Sequence, residues 1–286
     1  MAGGKGMDFV KMHGLGNDFV IVEMKSWAEA DTLQPYAQII CDRNFGIGAD
    51  GLIVTGKDPE MDLFMRIFNS DGSEPEMCGN GIRCVARYAY DHQLVKSSSM
   101  SVRTLAGLIY PTVKLSDNQV AAVTVDMGEP ILKRELIPMT GSGATVRIKA
   151  AAAFGEVEFT AVSMGNPHCI IFVPDVAQVP VGLWGPEIET HPLFPARTNV
   201  EFVQVVSRSD LIMRVWERGA GITLACGTGA CAALVAAVLN DNADRAAVVH
   251  LLGGDLLIEW KAEDNHVYMT GPAVEVFTGH IQLGKA

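Results

Sequence analysis

Met77-Cys78-Gly79-Asn80-Gly81 and Ala225-Cys226-Gly227-Thr228-Gly229 repeat one short phrase, a cysteine followed by glycine-x-glycine, at a spacing of 148 positions (78 to 226). The same offset lays Arg66-Ile67-Phe68-Asn69 on Arg214-Val215-Trp216-Glu217, and an offset one residue longer lays Gly16-Asn17 on Gly165-Asn166. Three patches holding nearly one register over half the chain indicate an internal duplication rather than recurring glycine strings. The chain therefore reads as two halves built to one plan.

Working outward from each cysteine gives that plan. Ahead of the cysteines run short alternating segments, at 19–23 and 63–68 in the first half and at 169–173, 200–206 and 211–216 in the second. Alternation with period two predicts strands. Behind Cys78, Ile82, Val85, Ala86 and Ala89 recur at i, i+3, i+4 and i+7, the stripe of a half-buried helix. Behind Cys226 the segment 227–239 is apolar nearly all round, which predicts a helix enclosed by the fold. Further strand-like segments lie at 101–113, 120–126, 248–260 and 274–277.

The expected class is α/β of the α+β type: two pseudo-symmetric domains, each a curled, mostly antiparallel sheet around a central helix. The turn Gly128-Glu129-Pro130 sets the boundary. It gives lobes 1–126 and 127–271, with 272–286 returning to the first. The glycine-rich opening, 1–6, reads as a flexible extension ahead of a first strand near Met7.

Composition removes several function classes. The 286 residues are 49% hydrophobic and 19% charged, enough for a buried core and unlike a disordered chain. A net charge of −11 with no basic stripe argues against a nucleic-acid binder. The longest apolar run, 230–239, falls short of the roughly 20 residues that span a bilayer. No signal-peptide core is visible, so a cytoplasmic location is expected. In that reducing setting the six cysteines are not expected to pair as structural disulfides. Their spacings, five residues between Cys78 and Cys84 and four between Cys226 and Cys231, do not suit a zinc site. The loop Gly46-Ile47-Gly48 fails to complete a dinucleotide-binding fingerprint.

The chemistry is read from Cys78 and Cys226. Each follows a polar or glycine-rich turn and opens a helix, where unpaired N–H groups and the helix dipole favour a thiolate. The bland reading of either alone is a buried structural cysteine; the symmetric pair favours function. Cys41, Cys84, Cys169 and Cys231 lack the glycine-rich turn and read as core. Two matched thiols suit a two-base inversion, one removing a proton from a carbon and the other returning one to the opposite face. Helix N–H groups could hold the neighbouring carboxylate. Asn17, Asn69, Asn166, Asn199 and His168 sit in turns or at strand ends beside these positions. Taken singly they are ordinary turn residues; together they suit a ligand with a second amino-acid head, with Arg218 forking onto a carboxylate and Glu217 meeting an ammonium. The bland alternative for Glu217 and Arg218 is an ion pair at a strand end.

The strings KMHGLGNDF (11–19), RIFNSDGSEPEMCGNGIRC (66–84), VSMGNPHC (162–169), ERGAG (217–221), ACGTGACAA (225–233) and YMTGPA (268–273) resemble those of diaminopimelate epimerases. The likeness runs over essentially the whole chain after its opening residues. It implies two similar domains that close on substrate, a homodimer, and interconversion of LL- and meso-2,6-diaminopimelate in lysine and peptidoglycan precursor synthesis, without pyridoxal phosphate or metal. By motif position it implies Cys78 and Cys226 as the two bases and Gly79, Asn80, Gly227 and Thr228 as holders of the reacting carboxylate. Asn17, Asn69, Asn166, Asn199, Glu217 and Arg218 would read the distant head, and His168 would support the pair. Gly51 departs from members that carry a larger polar residue there. The rivals are a proline or hydroxyproline racemase of the same fold, against which Asn80 and Arg218 count, and a metal- or redox-sensing protein using the same two thiols.

Overall fold

The computed structural model describes residues 5–283. Residues 1–4 of the expected extension lie outside the described residues, while Lys5 and Gly6 already belong to the first strand. The chain divides into two compact units, Met1–Val125 with Gly271–Ala286, and Asp126–Thr270.

The first unit opens with β1 (Lys5–Gly14) and β2 (Asn17–Glu23), followed by the short helix α1 (Ala37–Cys41). Next come β3 (Gly51–Lys57), β4 (Leu63–Asn69), α2 (Gly79–Asp91), β5 (Val102–Thr104), β6 (Gly107–Ile109), β7 (Thr112–Ser116) and β8 (Gln119–Asp126). The segment 101–113, expected as continuous strand, is broken twice. Its first break is a tight turn in which Gly107 takes φ of +109°, a conformation that costs glycine little and other residues much. In the sheet β2 runs parallel to β3 and β4 parallel to β5, and the other neighbours are antiparallel.

The second unit contains β9 (Ile148–Ala152), β10 (Gly155–Ser163), β11 (Pro167–Phe172), α3 (Val181–Glu189), β12 (Asn199–Ser207), β13 (Asp210–Glu217), β14 (Gly221–Ile222), α4 (Gly227–Leu239), β15 (Ala246–Leu251), β16 (Gly254–Trp260) and β17 (Val267–Gly271). Its sheet repeats the first plan: β11–β12 and β13–β15 are the parallel pairs, and antiparallel pairing joins the rest. The last strand, β18 (Val274–Leu283), belongs to the first unit and pairs antiparallel with β1.

Each sheet holds one helix. Helix α4 packs on β10 and β16 as well as on the strands between them, so the sheet curls around it. The sequence dictates this: from Ala230 to Ala237 every side chain is buried, and the many alanines let strands approach closely. Burying Leu234 or Val235 alone contributes about 1.5–3 kcal/mol. Alternation along β12 then sorts its side chains. Val200 and Phe202 join the apolar cluster shared with Val181 and Ile188 of α3, while Glu201 lies toward α4.

Candidate active site

Helices α2 and α4 have the same length, and their first and last residues differ by the same offset as the cysteines. Both cysteines are N-caps in extended backbone, Cys78 at φ −139°, ψ 116° and Cys226 at φ −122°, ψ 108°. Cys78 Sγ accepts from Gly81 N–H at 3.4 Å, and Cys226 Sγ accepts from Gly229 N–H at 3.4 Å. Sulfur here replaces the oxygen of the usual serine or aspartate cap. The duplicated phrase is thus a duplicated cap.

In the first unit Cys78 is half-buried. Its thiol donates to Asn17 Oδ1 at 3.8 Å, and Asn80 Nδ2 donates to the same oxygen at 3.1 Å. Asn17 Nδ2 donates to Asp50 Oδ2 at 2.8 Å, and Arg83 Nη2 donates to Asn80 Oδ1 at 2.9 Å. Asp50 and the buried Arg83 therefore fix both amides at the sulfur. Neither was singled out from sequence; an arginine on the buried stripe of a helix is the signal that marks Arg83. Behind them Asp18 joins Lys11 and Arg43. Burial pushes the Asp18 carboxyl up, but Arg43 and Lys11 outweigh it and hold it at about 2. Asn69 stands apart from this group. Its Nδ2 donates to Ser73 Oγ at 3.0 Å, and it shapes the turn that leads to Cys78. That turn is also anchored by Arg66, which is buried between Glu74 and Asp31 and lies over the rings of Trp27 and Phe68.

In the second unit Cys226 is 4% exposed. Burial pushes its thiol well above the ordinary cysteine range, and the carboxylates of Glu217 and Glu201 push the same way. The Thr228 hydroxyl and the Gly229 N–H oppose them without winning. The sequence expectation of an easily formed thiolate at a helix start is corrected for Cys226: desolvation and two carboxylates outweigh two donors. Glu217 lies beside this thiol. It accepts from Thr223 Oγ1 and hydrogen-bonds Cys226, and its own carboxyl is raised by burial. It makes no ion pair with Arg218.

Thr228 Oγ1 lies 3.6 Å from Cys226 Sγ, and Asn166 Nδ2 donates to Thr228 Oγ1 at 3.3 Å. Behind Asn166 lies fully buried His168. Asn199 is 4% exposed, and its side chain is occupied, accepting from Arg218 N–H at 2.9 Å and donating to Pro167 O at 2.9 Å. It braces the backbone of Arg218, whose guanidinium is exposed and donates to Ala196 O at 3.1 Å. Gly79 and Gly227 open the two helices.

The other thiols divide as expected. Cys41, Cys84, Cys169 and Cys231 are buried. Burial pushes Cys41 up to about 11 and Cys84 up to about 12. Among the described residues no group of histidine, cysteine or acidic side chains is arranged to hold a metal ion, and no helix is long and apolar enough to cross a membrane.

The family model described as diaminopimelate epimerase matches residues 9–133 and 160–276. The diaminopimelate epimerase of Moorella thermoacetica is 58% identical over 278 residues, 97% of this chain and 100% of that one. Among solved structures, a phenazine biosynthesis protein of the PhzF family from Bacillus anthracis superposes with a TM-score of 0.71 at 14% identity, covering 98% of this chain and 100% of that one. A hydroxyproline epimerase from Agrobacterium vitis gives 0.68 at 16% identity, covering 97% and 93%. These two share the fold. With a family model matched across both halves and a relative similar from end to end, the chain belongs to the diaminopimelate epimerase family.

Proposed function

We propose that this epimerase interconverts LL- and meso-2,6-diaminopimelate by a two-base mechanism in which Cys78 and Cys226 act on opposite faces of one α-carbon, without a cofactor. The observation that carries the reading is the matched pair of sulfur caps, each receiving a helix N–H at 3.4 Å. The substrate follows from relatives named for it.

At rest Cys226 is a thiol, and Glu217 beside it is suited to take its proton when a thiolate is required. Cys78 hands its proton toward Asn17 Oδ1, an acceptor but no base, and so serves as the delivering thiol in that direction. The roles reverse for the back reaction. Charge that develops on the substrate's α-carboxylate would meet the N–H groups opening α2 and α4, including those of Gly79, Asn80, Gly227 and Thr228. Asn17, Asn69, Asn166 and Arg218 would read the second amino-acid head, with Asn199 setting Arg218. Excluding water around the thiols strengthens each of these interactions. Reduced thiols suit a reducing compartment such as the cytoplasm, where the reaction would feed lysine and peptidoglycan precursors. A homodimer fits the exposed apolar residues Val274, Val276 and Phe277 of β18, and sedimentation as a monomer at working concentration would refute it.

The test is substitution. Cys78→Ala and Cys226→Ala should each lower the epimerisation rate by at least about 10²-fold, the usual contribution of a proton-transfer group. Circular dichroism should be unchanged. Full turnover by either variant contradicts the scheme. Racemisation of proline at a rate rivalling diaminopimelate would favour the racemase reading instead.

A further inference from the structure

Glu201 projects from β12 into the space under the first turn of α4, with its side chain fully buried. Its Oε1 lies 2.7 Å from His168 Nδ1, and its Oε2 has no hydrogen-bond partner among the described residues. An acid this deep is costly unless it serves the structure or the site. The usual structural explanation, satisfaction of all its lone pairs, does not hold here.

The hydrogen bonds beyond it have a forced direction. Asn166 Nδ2 donates to Thr228, so Asn166 Oδ1 faces His168 Nε2 at 3.0 Å and must accept. His168 therefore carries a proton on Nε2. Its Nδ1 then either donates to a Glu201 carboxylate or accepts from a Glu201 carboxylic acid. In both cases one proton lies between Glu201 Oε1 and His168 Nδ1. Thr228 Oγ1, already an acceptor from Asn166, has its own proton left to donate, and Cys226 Sγ lies within reach at 3.6 Å. Together with Gly229 N–H this gives the sulfur two donors.

We propose that Glu201 is a positioning residue for the epimerisation, holding His168 in the tautomer that directs a relay through Asn166 and Thr228 so that the Thr228 hydroxyl donates to the Cys226 sulfur. The inference rests on the reading of Cys226 as an acid–base group. The charged groups acting on the sulfur within this unit are Glu217 at the end of β13 and Glu201 on β12, and His168 on β11 acts in turn on Glu217. Without Glu201 the imidazole is free to place its single proton on Nδ1. Asn166 would then turn its amide to Nε2, Thr228 would donate to Asn166, and the sulfur would lose one donor.

The test uses the rate at which iodoacetamide alkylates Cys226 in the intact protein, followed by peptide mass spectrometry across pH. Glu201→Met removes both the charge and the hydrogen bond. Glu201→Met and Glu201→Gln both remove the carboxylate that pushes the thiol up, but only the first removes the donor to Nδ1, so the relay predicts that the Cys226 profile of Glu201→Met lies at higher pH than that of Glu201→Gln, with alkylation at fixed pH about fivefold slower, the value of one neutral hydrogen bond. Turnover should fall roughly 10–100-fold through kcat with KM nearly constant, as for other groups that orient a catalytic side chain. Glu201→Gln, whose amide still donates to Nδ1, should recover most of both. Thr228→Val, which removes only the last donor, should reproduce the slowed alkylation even if Glu201→Met does not fold. A Cys226 profile in Glu201→Met that matches or lies below that of Glu201→Gln, or wild-type alkylation in Thr228→Val, overturns the relay. Because alkylation does not depend on turnover, that failure is distinct from retained epimerisation by Cys226→Ala, which would overturn the two-base reading itself.

Discussion

Gly81 and Gly229 occupy equivalent places, each the third residue of its helix and each the N–H donor to its cysteine sulfur. One methyl group added at each site makes a controlled comparison of the two caps. At Gly81 the new Cβ would lie 2.9 Å from Met65 Cε and 3.0 Å from Ile53 Cδ1, both ends of flexible side chains. At Gly229 it would lie 2.6 Å from Glu201 Oε1 and 3.1 Å from Cys226 Sγ. The Glu201 oxygen can withdraw only by leaving His168, since both side chains are fully buried. Alanine gains about 1 kcal/mol over glycine in a helix. At Gly81 this offsets an overpacking cost of about 1–3 kcal/mol, leaving a net loss of roughly 0–2 kcal/mol. At Gly229 the same gain faces the breaking of a buried pair, about 3–5 kcal/mol, leaving roughly 2–4 kcal/mol. The difference of about 2 kcal/mol corresponds to a gap of roughly 4–8 °C in Tm for a unit of this size. Calorimetric melts of the two variants, with urea titrations as a second measure, should show Gly229→Ala as the less stable. Equal melting temperatures would refute the claim that Glu201 is rigidly held, and with it the asymmetry between the two caps.

Arg66→Ala should destabilise the first unit by about 3 kcal/mol, because Glu74 would lose its buried partner and two aromatic rings their cation; a urea midpoint within error of wild type would contradict this. Alkylation of the native protein should reach Cys78 first, Cys226 slowly, and Cys41, Cys84, Cys169 and Cys231 only on unfolding; early labelling of a core thiol would show that its burial is overstated. Asp18 titrates at about 2 in the folded chain, below its unfolded value of about 3.9. It therefore stabilises the fold above about pH 4, and that contribution is lost as the pH falls toward 2. Its size is on the order of 1 kcal/mol once solvent screening of the exposed Arg43 is allowed for. Asp18→Asn should flatten the acid limb of a stability-against-pH curve, and an unchanged limb would rule the ion pair out.

The repeated cysteine phrase carries the fold because a helix start is a local event: the cap, the glycines and the first apolar turn are contiguous. Hence the start of α2 and the full span of α4 are legible to the residue. Helix α3 is not, since Gly182, Gly185 and Pro186 break its propensity, and it exists because Val181 and Ile188 have a sheet to cover. Strand β3 carries no sequence mark for a related reason. Six of its seven residues are buried, so no alternation marks it. The same contrast governs the site. Cys78, Cys226, Asn17, Asn166 and Thr228 lie in turns whose composition announces them. The groups that orient them, Asp50, Arg83 and Glu201, are set by pairings across 33 or more positions and for Arg83 by the closing segment. Only the oddity of a charge on an inward strand or helix face marks such residues in a sequence.

The most direct measurement is the epimerisation of LL-diaminopimelate in deuterium oxide, with the α-hydrogens of substrate and product followed separately by mass spectrometry and NMR from the first turnover. Two thiols acting on opposite faces predict that the meso product carries solvent deuterium at the inverted carbon from the outset, while unreacted LL substrate stays protiated. Product that retains the substrate's own α-hydrogen would contradict the account.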